Sequence, residues 1–183
     1  MQKLPALFLF CILSLGVSPA SQSSPLPTHS QNPVSDSIRT LFPRSEKNIQ
    51  AAVDAMPADK FAFRPTPAQM TFGHLVTHII ESNNLLCAKA AALDPPKSPE
   101  VKETDPKDKL SAALKASFEF CGEAVQNMND SRLGDDIELF GGKTMPRAMA
   151  VLSLASGWAD HYGAAAMYLR LNGILPPTAA PKK

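Results

Sequence analysis

SGWADHYG, residues 156–163, followed by a run that ends in LRLNGILPP, residues 169–177, carries the strongest indication of the fold. At about 3.6 residues per turn, the ring of His161 shares one helical face with four apolar or aromatic residues: Leu154, Trp158, Ala165 and Tyr168. An imidazole on the face that enters a helix bundle needs a hydrogen-bond partner or a ligand. The stretch therefore predicts a long last helix with a candidate site at His161.

Helical periodicity also predicts two helices in the first half of the chain. Helix 1 is expected over residues 34–56, with a kink or interruption near Leu41 because Pro43 has no amide hydrogen to donate. Helix 2 is expected to start at Thr71, a residue that caps helix N-termini well, and to run to about residue 92. The segment FAFRPTP, residues 61–67, is predicted to connect them and to pack onto the bundle.

The second half of the chain predicts two more helices. Helix 3 begins with the capping sequence Asp105-Pro106-Lys107 and runs to about residue 129. Residues 131–146 have poor helical periodicity, and residues 137–140 could form a short extended piece. Helix 4 is expected over residues 147–172 and is ended by Gly173.

Length and composition indicate one exported domain. Residues 1–20 read as a signal peptide with a charged start, an apolar core and a small-residue cleavage site near Ala20. The apolar run is too short for a membrane anchor, so we expect a periplasmic or secreted protein. Residues 21–33 are predicted to be a disordered linker, and residues 178–183 a disordered tail. A formal charge of +1 without a basic cluster argues against a nucleic-acid partner.

Two cysteines outside the signal, Cys87 and Cys121, are expected to form a disulfide in an oxidising compartment, the alternative being two buried free thiols. Each lies about 15 residues into its helix, so parallel packing of helices 2 and 3 would bring them level. Antiparallel packing would separate them axially by roughly 14 Å, beyond the disulfide limit of about 7 Å. The loop over residues 93–105 can extend to about 40 Å, which is enough for a long crossover.

Two motifs in the sequence resemble the DinB/YfiT-like family of metalloenzyme-type bundles. They are FGHLVTH, residues 72–78, and DHYG, residues 160–163, with the later Leu169-Arg170-x-x-Gly173. The resemblance covers residues 34–177 and implies an all-α, four-helix bundle in up-down-down-up order with a long crossover between helices 2 and 3. Relatives include metal-dependent hydrolases and thiol transferases.

The resemblance also implies a metal site built from three histidines. His78 and His161 match the first and last ligands of the family, but Gly157 stands where the middle ligand is expected. His74 is a candidate replacement, because it lies one helical turn before His78. The metal would be zinc, nickel or manganese.

Two acidic residues lie close in sequence to the candidate histidines. Glu81 and Asp160 are candidates to orient a ligating imidazole or to act as a base. With one ligand missing, the sequence favours a metal-free binding or structural bundle over a divalent-metal hydrolase or thiol transferase acting through His78 and His161. In the first case the cleft would hold a small-molecule ligand or a partner, and a homodimer is compatible with either function.

Overall fold

The computed structural model describes residues 30–179, which form four long helices and one hairpin. The main elements are α1 (Pro33–Ala55), α2 (Phe72–Ala91), α3 (Lys107–Asn127), β1 (Asp136–Leu139), β2 (Lys143–Pro146) and α4 (Ala148–Leu171), and two short 3-10 helices lie at Ala58–Lys60 and Asp130–Arg132. The predicted signal peptide, most of the linker and the last four residues of the tail lie outside the described residues. Within residues 30–179, none of the helices combines the length and the apolar character that crossing a bilayer requires.

The helix ends follow the predicted signals closely. Thr71 caps α2, and its hydroxyl accepts a hydrogen bond from the amide of His74 at 3.0 Å. Gly173 adopts a φ of +73° just beyond α4, a conformation that glycine adopts without strain. The N-cap of α3 is Pro106 and not Asp105. The carboxylate of Asp105 instead accepts a hydrogen bond from the amide of Lys102 at 2.8 Å.

The interruption expected at Pro43 does not occur, and α1 runs unbroken from Pro33 to Ala55. A proline inside a helix costs about 3 kcal/mol through a lost hydrogen bond and a steric clash. Against this, α1 buries Phe42, Ile49 and Val53 almost completely, and each such side chain contributes about 1.5–3 kcal/mol. Burial of the apolar face therefore outweighs the cost of Pro43.

The all-α prediction is incomplete, because β1 and β2 form an antiparallel hairpin before α4. The sequence indicated only one extended piece here. The sequence of β2 does not alternate between apolar and polar residues, so it gives no strand signal. In the turn between the strands, Gly141 and Gly142 adopt φ values of +76° and +80°, which glycine adopts without strain. Leu139 is 3% exposed and fixes the hairpin to the core.

The centre of the bundle is a group of aromatic side chains around one buried amide. The ring of Phe42 packs against those of Trp158 and Phe118, at centroid distances of 5.5 and 6.3 Å. The indole of Trp158 donates to Oδ1 of Asn83 at 2.9 Å, and Nδ2 of Asn83 donates to Ser117 at 3.1 Å. The buried amide thus has partners on both α3 and α4.

The predicted disulfide is confirmed, since Cys87 and Cys121 are bonded with a Cα separation of 5.3 Å. Both residues are fully buried. The bridge lies one turn beyond the hydrogen bond between Asn83 and Ser117 on each helix. Two successive links therefore join α2 to α3 in the same order along both helices.

Candidate functional site

The structure brings together two of the three predicted histidines, one from each of two neighbouring helices. His78 lies in the first half of α2, and His161 lies in the second half of α4. Their ring centroids are 5.1 Å apart, with the ring planes at 86° in an edge-to-face arrangement. The side chain of His78 is exposed, and that of His161 is half-buried. The predicted meeting of two imidazoles from different helices is present.

Packing of α4 against the core determines where His161 points. Trp158 is buried in the aromatic centre one turn earlier, and Ala165 is buried one turn later. Tyr168 is also buried, and its hydroxyl donates to the carbonyl oxygen of Met70 at 2.6 Å. These contacts fix the rotation of α4, so His161 lies at the edge of its buried face, beside α2.

A cleft between α2 and α4 opens at the histidine pair and has a volume of about 350 Å³. Its wall includes both imidazoles, the apolar side chains of Leu75 and Ala164, and the carboxylate of Asp160. Tyr168 closes one side, held by an edge-to-face contact with Phe63 at 6.2 Å. The volume is within the usual range for small-molecule sites, about 300–1,000 Å³.

His161 is held as a neutral imidazole with one unused polar atom. Burial lowers its pKa, repulsion from His78 lowers it further, and the nearby carboxylate of Asp160 acts in the opposite direction. Among the described residues, Nδ1 of His161 is buried without a hydrogen-bond partner. A Cβ added at Gly157 would lie 3.6 Å from Cε1 and 4.0 Å from Nδ1 of this ring. The glycine therefore leaves space next to the unused nitrogen.

The lowered pKa of His161 predicts a pH-dependent stability. The folded-state pKa lies below the unfolded value of about 6.5, so the unfolded chain binds more protons just below that value. The free energy of unfolding should be at its full value above about pH 6.5 and fall as the pH decreases toward the folded pKa. An NMR titration of the Cε1 proton of His161 should give a midpoint below about pH 6.5. In His78→Gln the midpoint should move upward, because a repulsive neighbour is lost. A midpoint at or above 6.5 in the native protein would contradict this assignment.

His74 does not join the pair, because its ring faces the crossover segment between α2 and α3. Its Nδ1 lies 3.3 Å from the carboxylate of Glu103, which also accepts a hydrogen bond from Thr71 at 2.7 Å. Gly73 allows this approach, since a Cβ there would lie 2.3 Å from the carbonyl oxygen of Glu103. The two candidate carboxylates lie at different places: Asp160 lines the histidine cleft, and Glu81 lines a different cavity.

Comparison with known proteins identifies the family. The sequence profile of the DinB superfamily matches residues 41–165, more than half of the chain. The chain belongs to the DinB superfamily. No curated protein matches it.

Two solved DinB-like proteins share this fold. One, from Bacillus cereus, has a TM-score of 0.63 and 17% identity, with 78% of this chain and 95% of that chain covered. The other, YjoA from Bacillus subtilis, has a TM-score of 0.62 and 19% identity, with 75% and 92% covered. At these identities the likeness shows the DinB fold alone.

The donor atoms at this DinB cleft do not complete a three-ligand metal site. Structural and catalytic zinc sites use at least three protein ligands, whereas this cleft is lined by two imidazoles and the carboxylate of Asp160. Across the part of the chain that the structure describes, no cluster brings three or more His, Cys, Asp or Glu side chains within reach of one ion. The three-histidine arrangement implied by the resemblance therefore does not fit these residues.

Sequence reasoning missed the residues that support this DinB cleft from other elements. Glu103 holds His74 away from the pair, and it comes from a segment without helical periodicity. Asn83 binds Trp158, one turn from His161, but an asparagine on a buried helical face gives no sign of which neighbour it bonds. The only signal was that a buried amide and a buried indole both need partners.

Proposed function

We propose that this DinB-superfamily protein is a metal-free binding protein that holds a small molecule in the cleft between α2 and α4. The observation that carries the proposal is the meeting of two imidazoles in the wall of the cleft, one of which, that of His161, has a buried Nδ1 without a protein partner among the described residues. An unpaired buried polar atom costs about 1–3 kcal/mol. A ligand that supplies the missing hydrogen bond would recover that free energy.

The chemistry of the walls defines the ligand class. Leu75 and Ala164 offer apolar contact, while the two imidazoles offer hydrogen bonds in one place. The lowered pKa of His161 favours its neutral form, which can donate or accept through its ring nitrogens without the desolvation cost of a charge. We infer a small molecule with an apolar body and one hydrogen-bonding group.

The test is an NMR titration of tag-free protein with small probes that have this character, such as phenol, benzamide and hexanoate. We expect at least one probe to shift the Cε1 protons of both His78 and His161 in a saturable way. Ala164→Phe should abolish the shift because the larger side chain fills the cleft. Ala159→Phe is the matched control, because Ala159 is exposed on α4 and does not line the cleft. Absence of any saturable shift, or a shift that survives Ala164→Phe, would refute the proposal.

The second candidate is a divalent-metal hydrolase or thiol transferase, favoured by the short distance between the two imidazoles. It requires a ligand beyond His78 and His161, which another molecule would have to supply. Stoichiometric zinc, nickel or manganese that is lost in a folded His161→Ala variant would support this candidate against the metal-free one.

We also infer the up-down-down-up order of the helices. The bridge between Cys87 and Cys121 and the bond between Asn83 and Ser117 support parallel α2 and α3, because they join the helices in the same order. Lys107, at the start of α3, donates to the carbonyl oxygen of Met56 at 2.8 Å, which supports antiparallel α1 and α3. Tyr168 and Met70 link the end of α4 to the start of α2.

Export and self-association are further proposals. The N-terminal sequence supports export, since residues 1–20 have the pattern of a secretory signal. Leu152, Met167 and Leu171 are exposed apolar side chains on α4, and a homodimer that covers them would remove their apolar surface from water. Light scattering of the mature protein should then give twice the monomer mass, and a monomer mass at micromolar concentration would contradict the dimer.

A further inference from the structure

A second cavity lies beneath the crossover segment, between α2 and α3 and separate from the histidine cleft. Its volume is about 460 Å³, within the range of small-molecule sites of about 300–1,000 Å³. None of the residues that line the histidine cleft also lines this cavity. The two spaces can therefore be tested independently.

The cavity exists because α3 presents small side chains opposite the crossover segment. Ala112, Ala113 and Ala116 line one wall, and Ile80 lines the facing wall on α2. The roof contains Pro96 and Pro99, whose rings fix the backbone φ, so the roof cannot easily collapse into the space. Most of the lining is therefore apolar.

One polar atom in this wall has no partner. Oδ1 of Asn84 is buried, and within residues 30–179 nothing donates a hydrogen bond to it. Asn84 lies on α2 one turn after Ile80 and lines the cavity. A carbonyl oxygen that is buried without a donor destabilises the protein unless a ligand or a water molecule provides the donor.

The charges around the cavity favour a cation. Glu81 and Glu100 contribute two carboxylates to its lining, and both residues are exposed. The one basic residue in the lining, Lys109, has its ammonium group 2.8 Å from the carboxylate of Asp105. The remaining field is negative, so a positively charged hydrogen-bond donor is better matched than an anion.

We propose that this cavity is a second binding site, for a small hydrophobic amine whose ammonium group donates to Oδ1 of Asn84 and whose apolar body lies against Ile80 and the alanines of α3. The apolar walls argue for an organic amine over a hydrated metal ion, since a metal would need several oxygen or nitrogen ligands. The proposal does not depend on the function assigned to the histidine cleft.

The test is calorimetric titration of the full chain with n-hexylamine at about pH 7.5, where an alkylamine is protonated. We expect hexylamine to bind saturably. The uncharged n-hexanol should bind more weakly, and the negatively charged hexanoate should bind most weakly of the three. Asn84→Leu should weaken hexylamine binding by roughly tenfold or more, because a hydrogen bond to a charged donor is lost. Asn84→Asp retains an acceptor oxygen and should bind hexylamine at least as tightly as the native protein.

Two cavity-filling variants distinguish the sites. Ala116→Phe should abolish hexylamine binding, whereas Ala164→Phe, which fills the histidine cleft, should leave it unchanged. Thermal unfolding checks that each variant is folded. If Ala116→Phe does not fold, hexylamine binding to the two Asn84 variants tests the proposal instead. The proposal is overturned if hexylamine does not bind saturably, or if Asn84→Leu binds it as well as the native protein. It is also overturned if hexanoate binds more tightly than hexylamine to Ala164→Phe, in which the histidine cleft is filled.

Discussion

Gly157→His is expected to give the protein a stoichiometric metal site. Gly157 lies one turn before His161, and a Cβ at this position makes ordinary van der Waals contact with the imidazole. A third imidazole would therefore project toward the His78 and His161 pair, and three nitrogen ligands with an open position are sufficient for zinc. Because the metal binds only the folded state, it should stabilise the variant by about 2.7 kcal/mol at 100 times the dissociation constant.

The measurement is metal content after incubation of tag-free protein with zinc, nickel or manganese and dialysis, together with thermal unfolding with and without metal. Gly163→His is the matched control, because Gly163 is an exposed glycine on α4. Within residues 30–179, a Cβ added there would contact nothing beyond its chain neighbours and the backbone of its own helical turn. The control should bind no more metal than the native protein. If Gly157→His also binds none, the space beside His161 is not positioned to complete the site.

Loss of the disulfide is expected to have the largest effect on stability. The bridge between Cys87 and Cys121 closes a loop with a sequence separation of 34, and the chain-entropy relation gives about 3–4 kcal/mol for a loop of this length. The double variant Cys87→Ala/Cys121→Ala should lose about this amount, which is a large fraction of the 5–15 kcal/mol typical of a domain. The slope of urea unfolding should increase, because the unfolded chain becomes less compact.

Urea unfolding of oxidised, reduced and double-variant protein separates the bridge from the packing of the two residues. Both positions are fully buried, so the alanines also lose some apolar contact. Reduction of the native protein keeps the sulfur atoms and should produce most of the loss by itself. Equal midpoints for oxidised and reduced protein would show that the bridge does not stabilise the fold.

Local sequence signals predicted the helices well because their causes are local. The cap at Thr71, the stop at Gly173 and the apolar stripe of α4 act within one or two turns of the chain. Pro43 does not interrupt α1, because its local cost is outweighed by the burial of residues such as Ile49 in the assembled bundle. The second strand, β2, was missed because it has no apolar pattern of its own.

The candidate site was predictable only in part, because its details depend on contacts between distant residues. The faces of α2 and α4 were enough to predict that His78 and His161 meet. The position of His74 depends on Glu103 in the crossover segment, and no helical pattern reveals such a contact. The start of α1 shows the same limit, since Asp130 accepts hydrogen bonds from the amides of Val34 and Ser35 at 2.8 Å, more than 90 residues away.

The most direct test of the metal-free cleft is the metal-to-protein ratio of the native chain, purified without a histidine tag and reconstituted with zinc. Two imidazoles without a third protein ligand should leave the ratio far below one, and His161→Ala should not change it. One equivalent of zinc that survives dialysis and disappears in a folded His161→Ala variant would contradict the account.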